Sequence, residues 1–583
     1  MILRFREDPD VDIRLAAFCC MSNIVKVHNF GSNTSEYVLA ALIELLDPSA
    51  PPMSLTGVVS SSSSSSSSST AGMPPPGTGS GARAHFDNIR TQLLGGGSSS
   101  SSRAPTQSQQ QQQQQQPTPT RPITAALTTP RQLDIQVQAS FALARLLSDE
   151  VELQLVAQER FGIVRRMAGL VEGSWRELRR RIGGGGGGAS LTVLATVAFH
   201  IDEIRQAIIE SSSPALLPIL APALTIPHAP GIRIAACRLV RALSRSVATL
   251  RTSLVDAGVG EKLLVLLHEK PGVGVGVGVG WVPHEVRLEV VASLCNMVLR
   301  HSPMHELLVQ GGGVQRLVSF LDGDGDGDQE AGTDGGGSSS GVPTAAAAVA
   351  VDGAMVVNVL WALKNIVCRA TLDVKRTVGQ TIGWDRLLNL AVDGDPMIQE
   401  QALNVLRNLA AVEEADIEMT CQAIGLERLL DLLERVIWER SAGRSHGGGV
   451  GGGEEEEEEG SVLVLVQAAH VLVNLATGNR TVRMAVLQRA NLLDAILFFM
   501  NHPREEIRVA GIWCASNLTY RLQPAYGHTE RSEPTDDDVG IEAVKRLRAF
   551  DFEARIRDLL EREEALNVRD RAKVLLSAFE VVS

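Results

Sequence analysis

Side chains that could bind a metal occur at spacings that argue against a metal site. The run DGDGDGD, Asp322 to Asp328, offers carboxylates for calcium, but an EF-hand loop needs a glutamate at its twelfth position, where this chain has Thr333. His301 and His305 are four residues apart, but no glutamate follows His301 as the HExxH zinc motif requires. We therefore expect an acidic loop and two loop histidines here, and no bound metal.

Enzymatic chemistry has equally little support. The glycine-rich runs lack the Lys-Ser/Thr pair of a phosphate-binding loop and do not join a strand to a helix. No Ser/His/Asp or Cys/His set stands out. The basic segment WRELRRRI, 175–182, is interpreted as a solvated helix end, with a weak nuclear signal as the alternative. The sequence thus predicts a protein that is not an enzyme and that has neither a cofactor nor a small-molecule substrate.

Asparagine, in contrast, recurs at one position of a repeated helix. The segment DPMIQEQALNVLRNLA, 395–410, has apolar residues at helical spacing, with Asn404 and Asn408 beside the apolar stripe. Asparagine is a poor interior helix former because its amide competes for backbone hydrogen bonds, so its presence requires a reason. Similar segments each end in an asparagine, and the full set is Asn23, Asn296, Asn365, Asn408, Asn474 and Asn517.

The elements that carry these asparagines belong to a repeating unit. Asn365 and Asn408 are 43 residues apart, as are Asn474 and Asn517. Segments 135–145, 232–242 and 568–578 keep the helical pattern without the amide, a weaker copy ends at His200, and a second apolar helix precedes the long helices. A period of about 42 residues with two or three helices is typical of armadillo and HEAT repeats. The predicted fold is all-α, an armadillo-type right-handed superhelical solenoid of about ten repeats, interrupted by disordered low-complexity inserts.

Low-complexity composition sets the predicted domain boundaries. Serine, proline and glutamine dominate one long insert, and such segments cannot bury enough apolar surface to become ordered. We predict an incomplete N-terminal armadillo repeat at 1–48, this disordered insert at 49–130, and the solenoid at 131–583. Within the solenoid we expect flexible loops near 183–188, 271–280, 322–352, 441–460 and 521–540, and a C-terminal cap at 541–583.

The amino-acid composition argues against nucleic-acid partners and favours a cytoplasmic or nuclear location. The formal net charge is −13, and an acidic chain lacks the basic surface that nucleic-acid binding needs. No signal peptide or uninterrupted apolar run of membrane-spanning length is read from the sequence. The 7 cysteines contain no CxxC pair, and most fall inside the repeated helices. Reduced core thiols, and a cytoplasmic or nuclear location, are therefore expected.

The recurring asparagines predict a protein-binding groove. In armadillo repeats the long third helices line a concave surface, where an amide can donate to and accept from a partner's backbone. Trp361 and Trp513 precede Asn365 and Asn517 by four residues, so each pair shares a helix face and the tryptophan could cradle partner side chains. The predicted partner-binding residues are Trp361, Asn365, Arg407, Asn408, Asn474, Trp513 and Asn517. The alternative is that the amides join neighbouring helices and the tryptophans fill the core.

Several segments suggest a family. NVLWALKNIV, MIQEQALNVLRNLA and EIRVAGIWCASNLTYR, with the closing KRLRAFDFEARIRDLLEREEALNVRDRAKVLLSAF, resemble the armadillo-repeat scaffold subunit of the GID/CTLH ubiquitin ligase. The resemblance is best over 355–583 and is only of a general armadillo kind before that. It implies a non-catalytic subunit that docks onto the ligase core and holds a substrate receptor through its C-terminal repeats, for proteasome-dependent degradation.

A second functional hypothesis remains open at this point. A peptide-binding armadillo adaptor of the importin or catenin type would serve transport or adhesion. An importin-like receptor carries Trp-xxx-Asn pairs in consecutive repeats, whereas only Trp361 with Asn365 and Trp513 with Asn517 form such pairs here. The expected partners under the first hypothesis are protein subunits of a ubiquitin ligase core and a substrate receptor, with no nucleic acid and no membrane span.

Overall fold

The computed structural model describes most of the chain in separate stretches. These stretches are residues 8–28, 32–47, 130–180, 186–210, 215–226, 229–245, 248–269, 282–299, 302–322, 352–442, 454–519 and 537–582. The predicted insert at 49–130 lies outside them apart from Pro130, as does the predicted loop at 271–280. The chain divides into two compact units, Met1–Ile219 and Leu220–Ser583, which we call the N-terminal and C-terminal units.

The N-terminal unit consists of helices in its described part. In chain order they are α1 (Val11–His28), α2 (Ser32–Leu46), α3 (Pro130–Leu147), α4 (Val151–Glu159), α5 (Ile163–Arg180), α6 (Gly186–Ala198) and α7 (Asp202–Glu210), and the unit ends within α8 (Leu217–Leu224). The long helices α1, α3 and α6 pack against one another in sequence, with α3 between the other two. They correspond to three of the repeated segments in the sequence.

The C-terminal unit is built of three-helix layers. Its helices are α9 (Pro230–Leu243), α10 (Ala248–Asp256), α11 (Val259–His268), α12 (His284–Met297), α13 (Pro303–Gln310), α14 (Gly313–Ser319), α15 (Gly353–Val367), α16 (Leu372–Ile382), α17 (Trp384–Leu390), α18 (Pro396–Leu409), α19 (Glu414–Ile424), α20 (Leu426–Ala442), α21 (Glu454–Leu475), α22 (Arg480–Gln488), α23 (Ala490–Met500), α24 (Glu505–Leu518), α25 (Asp537–Ala549), α26 (Phe552–Arg562) and α27 (Leu566–Val581).

One helix of each layer joins the layers into a continuous stack. These third helices, α9, α12, α15, α18, α21, α24 and α27, each pack against the next one along the chain. Their apolar residues are almost all buried between layers, so each layer completes the core of its neighbours. Every element assigned within the described ranges is helical, which confirms the predicted all-α class.

Glycines and capping residues set where the helices begin. Gly258, Gly312, Gly383 and Gly425 have φ between 73° and 91° and join the first helix of a layer to its second. Residues with a Cβ rarely adopt this conformation, which explains the glycine before the second helices α11, α14, α17 and α20. Arg489 and Asp551 take this place before α23 and α26. The third helix α18 is capped by Asp395, the residue before its start, whose carboxylate accepts a hydrogen bond of 2.8 Å from the backbone N–H of Met397.

Predicted loop boundaries differ from the structure at several places, and one is the predicted loop at 521–540, which contains the start of α25 at Asp537. Helix α21 begins at Glu454, inside the predicted loop at 441–460. Helix α6 begins at Gly186, inside the predicted loop at 183–188, although glycine disfavours helix. Within the described ranges, none of the helices is both long and apolar enough to span a membrane.

Candidate partner-binding face of the third helices

Five of the six recurring asparagines, those of the C-terminal unit, form a ladder of hydrogen bonds between layers. Each donates its side-chain N–H to a backbone carbonyl of the preceding third helix. The bonds, from Nδ2 to O, are Asn296 to Arg241 at 3.2 Å, Asn365 to Cys295 at 2.7 Å, Asn408 to Lys364 at 2.9 Å, Asn474 to Arg407 at 2.9 Å and Asn517 to Val473 at 3.1 Å. We call these five residues the amide ladder.

The acceptor of each bond explains why an amide stands at this position. Each carbonyl belongs to one of the last four residues of its helix, such as Lys364 near the end of α15 and Arg407 near the end of α18. Those carbonyls have no partner within their own helix. The amide of one layer therefore donates a hydrogen bond to an end carbonyl of the layer before it. The Nδ2 groups of these asparagines thus join neighbouring helices, as the alternative interpretation of the sequence predicts.

The oxygen of each ladder amide is left for another donor. No described group donates to the Oδ1 atom of Asn365, Asn408, Asn474 or Asn517. Asn365 and Asn408 are 6% and 8% exposed, and the other two are half-buried. A ladder amide can thus hold two layers together through Nδ2 and still accept a hydrogen bond from a partner's backbone through Oδ1.

The two predicted tryptophans each carry a cation on the ring face. Trp361 is 9% exposed, and Lys364 Nζ lies 4.5 Å from the centre of its ring. Trp513 is half-buried, and the guanidinium of Arg571 in the next layer lies 4.2 Å from its ring centre. Trp361 therefore acts largely as a core residue that supports a lysine, and one face of Trp513 is occupied by Arg571.

Arg407 belongs to a polar cluster on three successive third helices, which we call the central polar cluster: Lys364 of α15, Glu400, Asn404 and Arg407 of α18, and Gln467 of α21. Arg407 Nη1 donates to Gln467 Oε1 at 3.0 Å. Glu400 Oε1 accepts from Asn404 Nδ2 at 3.4 Å and from Gln467 Nε2 at 3.5 Å. These contacts tie α18 to α21 next to the amide ladder.

Burial shifts the charges of this cluster towards their neutral forms. Loss of hydration lowers the pKa of the Lys364 ammonium to about 8, although the nearby Glu400 opposes the shift. Loss of hydration also raises the pKa of Glu400, against the attraction of Lys364, and lowers the pKa of the Arg407 guanidinium. Three charged groups thus share an enclosed region in which each lacks part of its hydration.

The structure places the seven predicted residues on four consecutive third helices, α15, α18, α21 and α24. Sequence reasoning missed Lys364, Glu400, Asn404 and Gln467 as members of a cluster. A signal was available for Lys364, because it directly precedes a ladder asparagine just as Arg407 does. Among the residues described, no group of three or more His, Cys, Asp or Glu side chains could hold a metal ion.

Comparison with known proteins agrees with this architecture. Residues 212–420 match the family model of the VID28/GID5 C-terminal domain. Armadillo repeat-containing protein 8 of Danio rerio is 23% identical over 429 residues, which are 72% of this chain and 54% of that protein. The chain is similar to a protein named for its armadillo repeats and to one named as a GID complex subunit. GID complex subunit 5 of Schizosaccharomyces pombe is 22% identical over 387 residues, which are 66% of this chain and 38% of that protein.

These similarities confirm the resemblance and the armadillo-type fold. The chain spans about half the length of the Danio rerio protein that it matches, and less of the yeast one. The family match over 212–420 lies mostly before the segment 355–583 on which the resemblance rested. A solved structure of an engineered protein superposes with a TM-score of 0.53 at 15% identity, covering 99% of this chain and 98% of that one, which supports the fold alone.

Proposed function

We propose that this chain is a non-catalytic scaffold subunit of a GID/CTLH-like ubiquitin ligase that links the ligase core to a substrate receptor. The observation that carries the proposal is the similarity to GID complex subunit 5 and to the VID28/GID5 domain. The layered fold is consistent with it, because stacked repeats present long surfaces suited to binding other proteins. A cytoplasmic or nuclear location belongs to the same proposal. The importin-like or catenin-like alternative has no comparable support.

We further propose that the third-helix face from α15 to α24 binds an extended segment of the substrate receptor. The support is geometric: the ladder amides follow one another along this face, and each has an Oδ1 atom without a described donor. An extended chain exposes backbone N–H groups at regular intervals, which could donate to these oxygens. The half-buried guanidinium of Arg407 lies in the middle of the same face.

Affinity purification with quantitative mass spectrometry tests both the scaffold role and the receptor-binding role of the face from α15 to α24. The tagged chain should recover RING-type ligase subunits together with a receptor. Arg407→Glu should lose the receptor and keep the RING subunits, because it changes the charge of the face without removing a ladder amide. Arg376→Glu is the matched control, since Arg376 is exposed on the first helix α16 and, among the described residues, forms an ion pair only with Asp373 at 3.1 Å. Wild-type preparations without RING subunits would refute the scaffold role.

A further inference from the structure

Two cations occupy the same register on neighbouring third helices. Lys364 and Arg407 each directly precede a ladder asparagine, and the bond from Asn408 Nδ2 to the Lys364 carbonyl brings their helices together at this level. Within the described part of the chain, neither side chain has a carboxylate within 4.0 Å of its nitrogen atoms. The two positive charges therefore lie close together without a direct ion pair.

The nearby carboxylate of Glu400 does not neutralise the positive charges of both Lys364 and Arg407. Glu400 is 7% exposed and interacts with both cations, but its oxygens accept hydrogen bonds from amide groups at 3.3 to 3.5 Å. With Glu400 ionised the three groups carry one excess positive charge, and with Glu400 protonated they carry two. Buried charges in proteins are normally paired, because removing an ion from water is costly.

Two other buried cations of the same unit, Lys375 and Arg483, donate to oxygen acceptors of a kind that Lys364 lacks. Lys375 Nζ is 2.7 Å from Asp416 Oδ2 and also donates to the Ala411 carbonyl at 2.5 Å. Arg483 Nη2 donates to the Leu518 carbonyl at 2.8 Å. The Lys364 ammonium is only 4.5 Å from the centre of the Trp361 ring, and it donates to no described oxygen. A ring face stabilises a cation but accepts none of its three N–H bonds.

We infer that Lys364 and Arg407 form a subsite for the acidic side chain of an aspartate or glutamate in an extended partner segment. The inference rests on the proposed binding role of this face. We expect the carboxylate to come from a side chain within the partner segment and not from the end of the partner chain, because the amide ladder continues on both sides of the subsite. Asn296 and Asn365 precede the subsite, and Asn474 and Asn517 follow it. A segment that follows the ladder would therefore pass through the subsite. Its carboxylate would supply the charge and the acceptors that the cluster lacks.

Selection from a random dodecapeptide library tests the inference. The peptides are displayed on phage as N-terminal fusions, so none has a free C-terminus. Binders to the wild-type chain should share an aspartate or glutamate at one position. For a selected peptide, Asp→Asn or Glu→Gln at that position should weaken binding about ten- to hundredfold, the range for a hydrogen bond to a charged group. Lys364→Met should weaken binding of the acidic peptide similarly.

Charge reversal separates recognition from a structural effect. Arg407→Glu should reverse the preference, so that peptides with lysine or arginine at that position bind better than acidic ones. Arg407→Gln, a milder change, should weaken acidic peptides without creating this preference. Arg376→Glu should leave all affinities unchanged. Circular dichroism melting curves identify any variant that fails to fold.

The two proposals fail in different ways. Peptides that bind wild-type chain equally well with or without the acidic residue would overturn the carboxylate subsite and leave the binding role of the face intact. Lys364→Met and Arg407→Glu variants that bind acidic peptides as tightly as the wild-type chain would also overturn the carboxylate subsite and leave the binding role of the face intact. A selection that yields no binder above background would overturn the subsite and also count against the binding face.

Discussion

The substitution Asn408→Ala tests whether the amide ladder holds the layers together. Asn408 is 8% exposed, and its Nδ2 donates to the Lys364 carbonyl at 2.9 Å. Loss of a hydrogen bond costs about 1 kcal/mol, and a buried carbonyl left without a donor adds roughly 1 to 2 kcal/mol. Alanine recovers roughly 0.5 to 0.7 kcal/mol through its better helix propensity. The expected destabilisation of the layer is therefore about 1.3 to 2.5 kcal/mol.

Hydrogen–deuterium exchange is the appropriate assay, because long repeat arrays need not unfold in a two-state manner. A local loss of about 1.3 to 2.5 kcal/mol should speed exchange in α15 and α18 by a factor of about 10 to 70. Exchange in α26, which is far along the stack, should not change. Asn389→Ala is the matched control, since Asn389 is an exposed residue of α17 without a described side-chain hydrogen bond. Equal protection in wild type and Asn408→Ala would refute the packing role of the ladder.

Three further outcomes are expected. Lys364→Met should raise stability at pH 7 by up to ~3 kcal/mol, because a lysine pKa lowered to about 8 makes the cationic form oppose folding below that pH. This difference should fade as pH rises from 8 towards the ordinary value of 10.5, as urea unfolding of both proteins at each pH would show. Cys20 should react with a thiol reagent in the native state, whereas buried Cys237 and Cys514 should react only after unfolding, as mass spectrometry of labelled peptides would reveal. Gly511→Ala should lower the melting temperature, because the new Cβ would lie 2.9 Å from the Met500 backbone nitrogen.

The repeat was predictable from sequence because its cause is local. Apolar spacing identifies the third helices, and the 43-residue separation of Asn365 from Asn408 equals the length of one layer. The glycines before second helices were also visible, since a positive φ at Gly383 and Gly425 needs that residue type. Such features depend on a few neighbouring residues and on the periodicity of the helix.

The partners of polar side chains were not predictable in the same way. The bond from Asn408 reaches a carbonyl 44 residues earlier, and asparagine suits both inter-layer packing and peptide binding, so residue type alone could not decide between them. Trp361 precedes Asn365 with the spacing of a binding pair, but its ring is covered and supports Lys364. The central polar cluster depends on three helices that meet only in the folded stack.

Site-specific photocrosslinking can show whether the third-helix face from α15 to α24 contacts a substrate receptor. A photoreactive phenylalanine derivative replaces His470, which lies four residues before Asn474 at the position that corresponds to Trp361 and is half-buried. The same derivative at Arg376 on α16 serves as the comparison. We expect the probe at 470, and not the probe at 376, to crosslink in cells to a substrate-receptor subunit, within a segment that contains an aspartate or glutamate. Crosslinks to that subunit from 376 alone, or none from 470 in a complex that still contains RING subunits, would contradict this expectation.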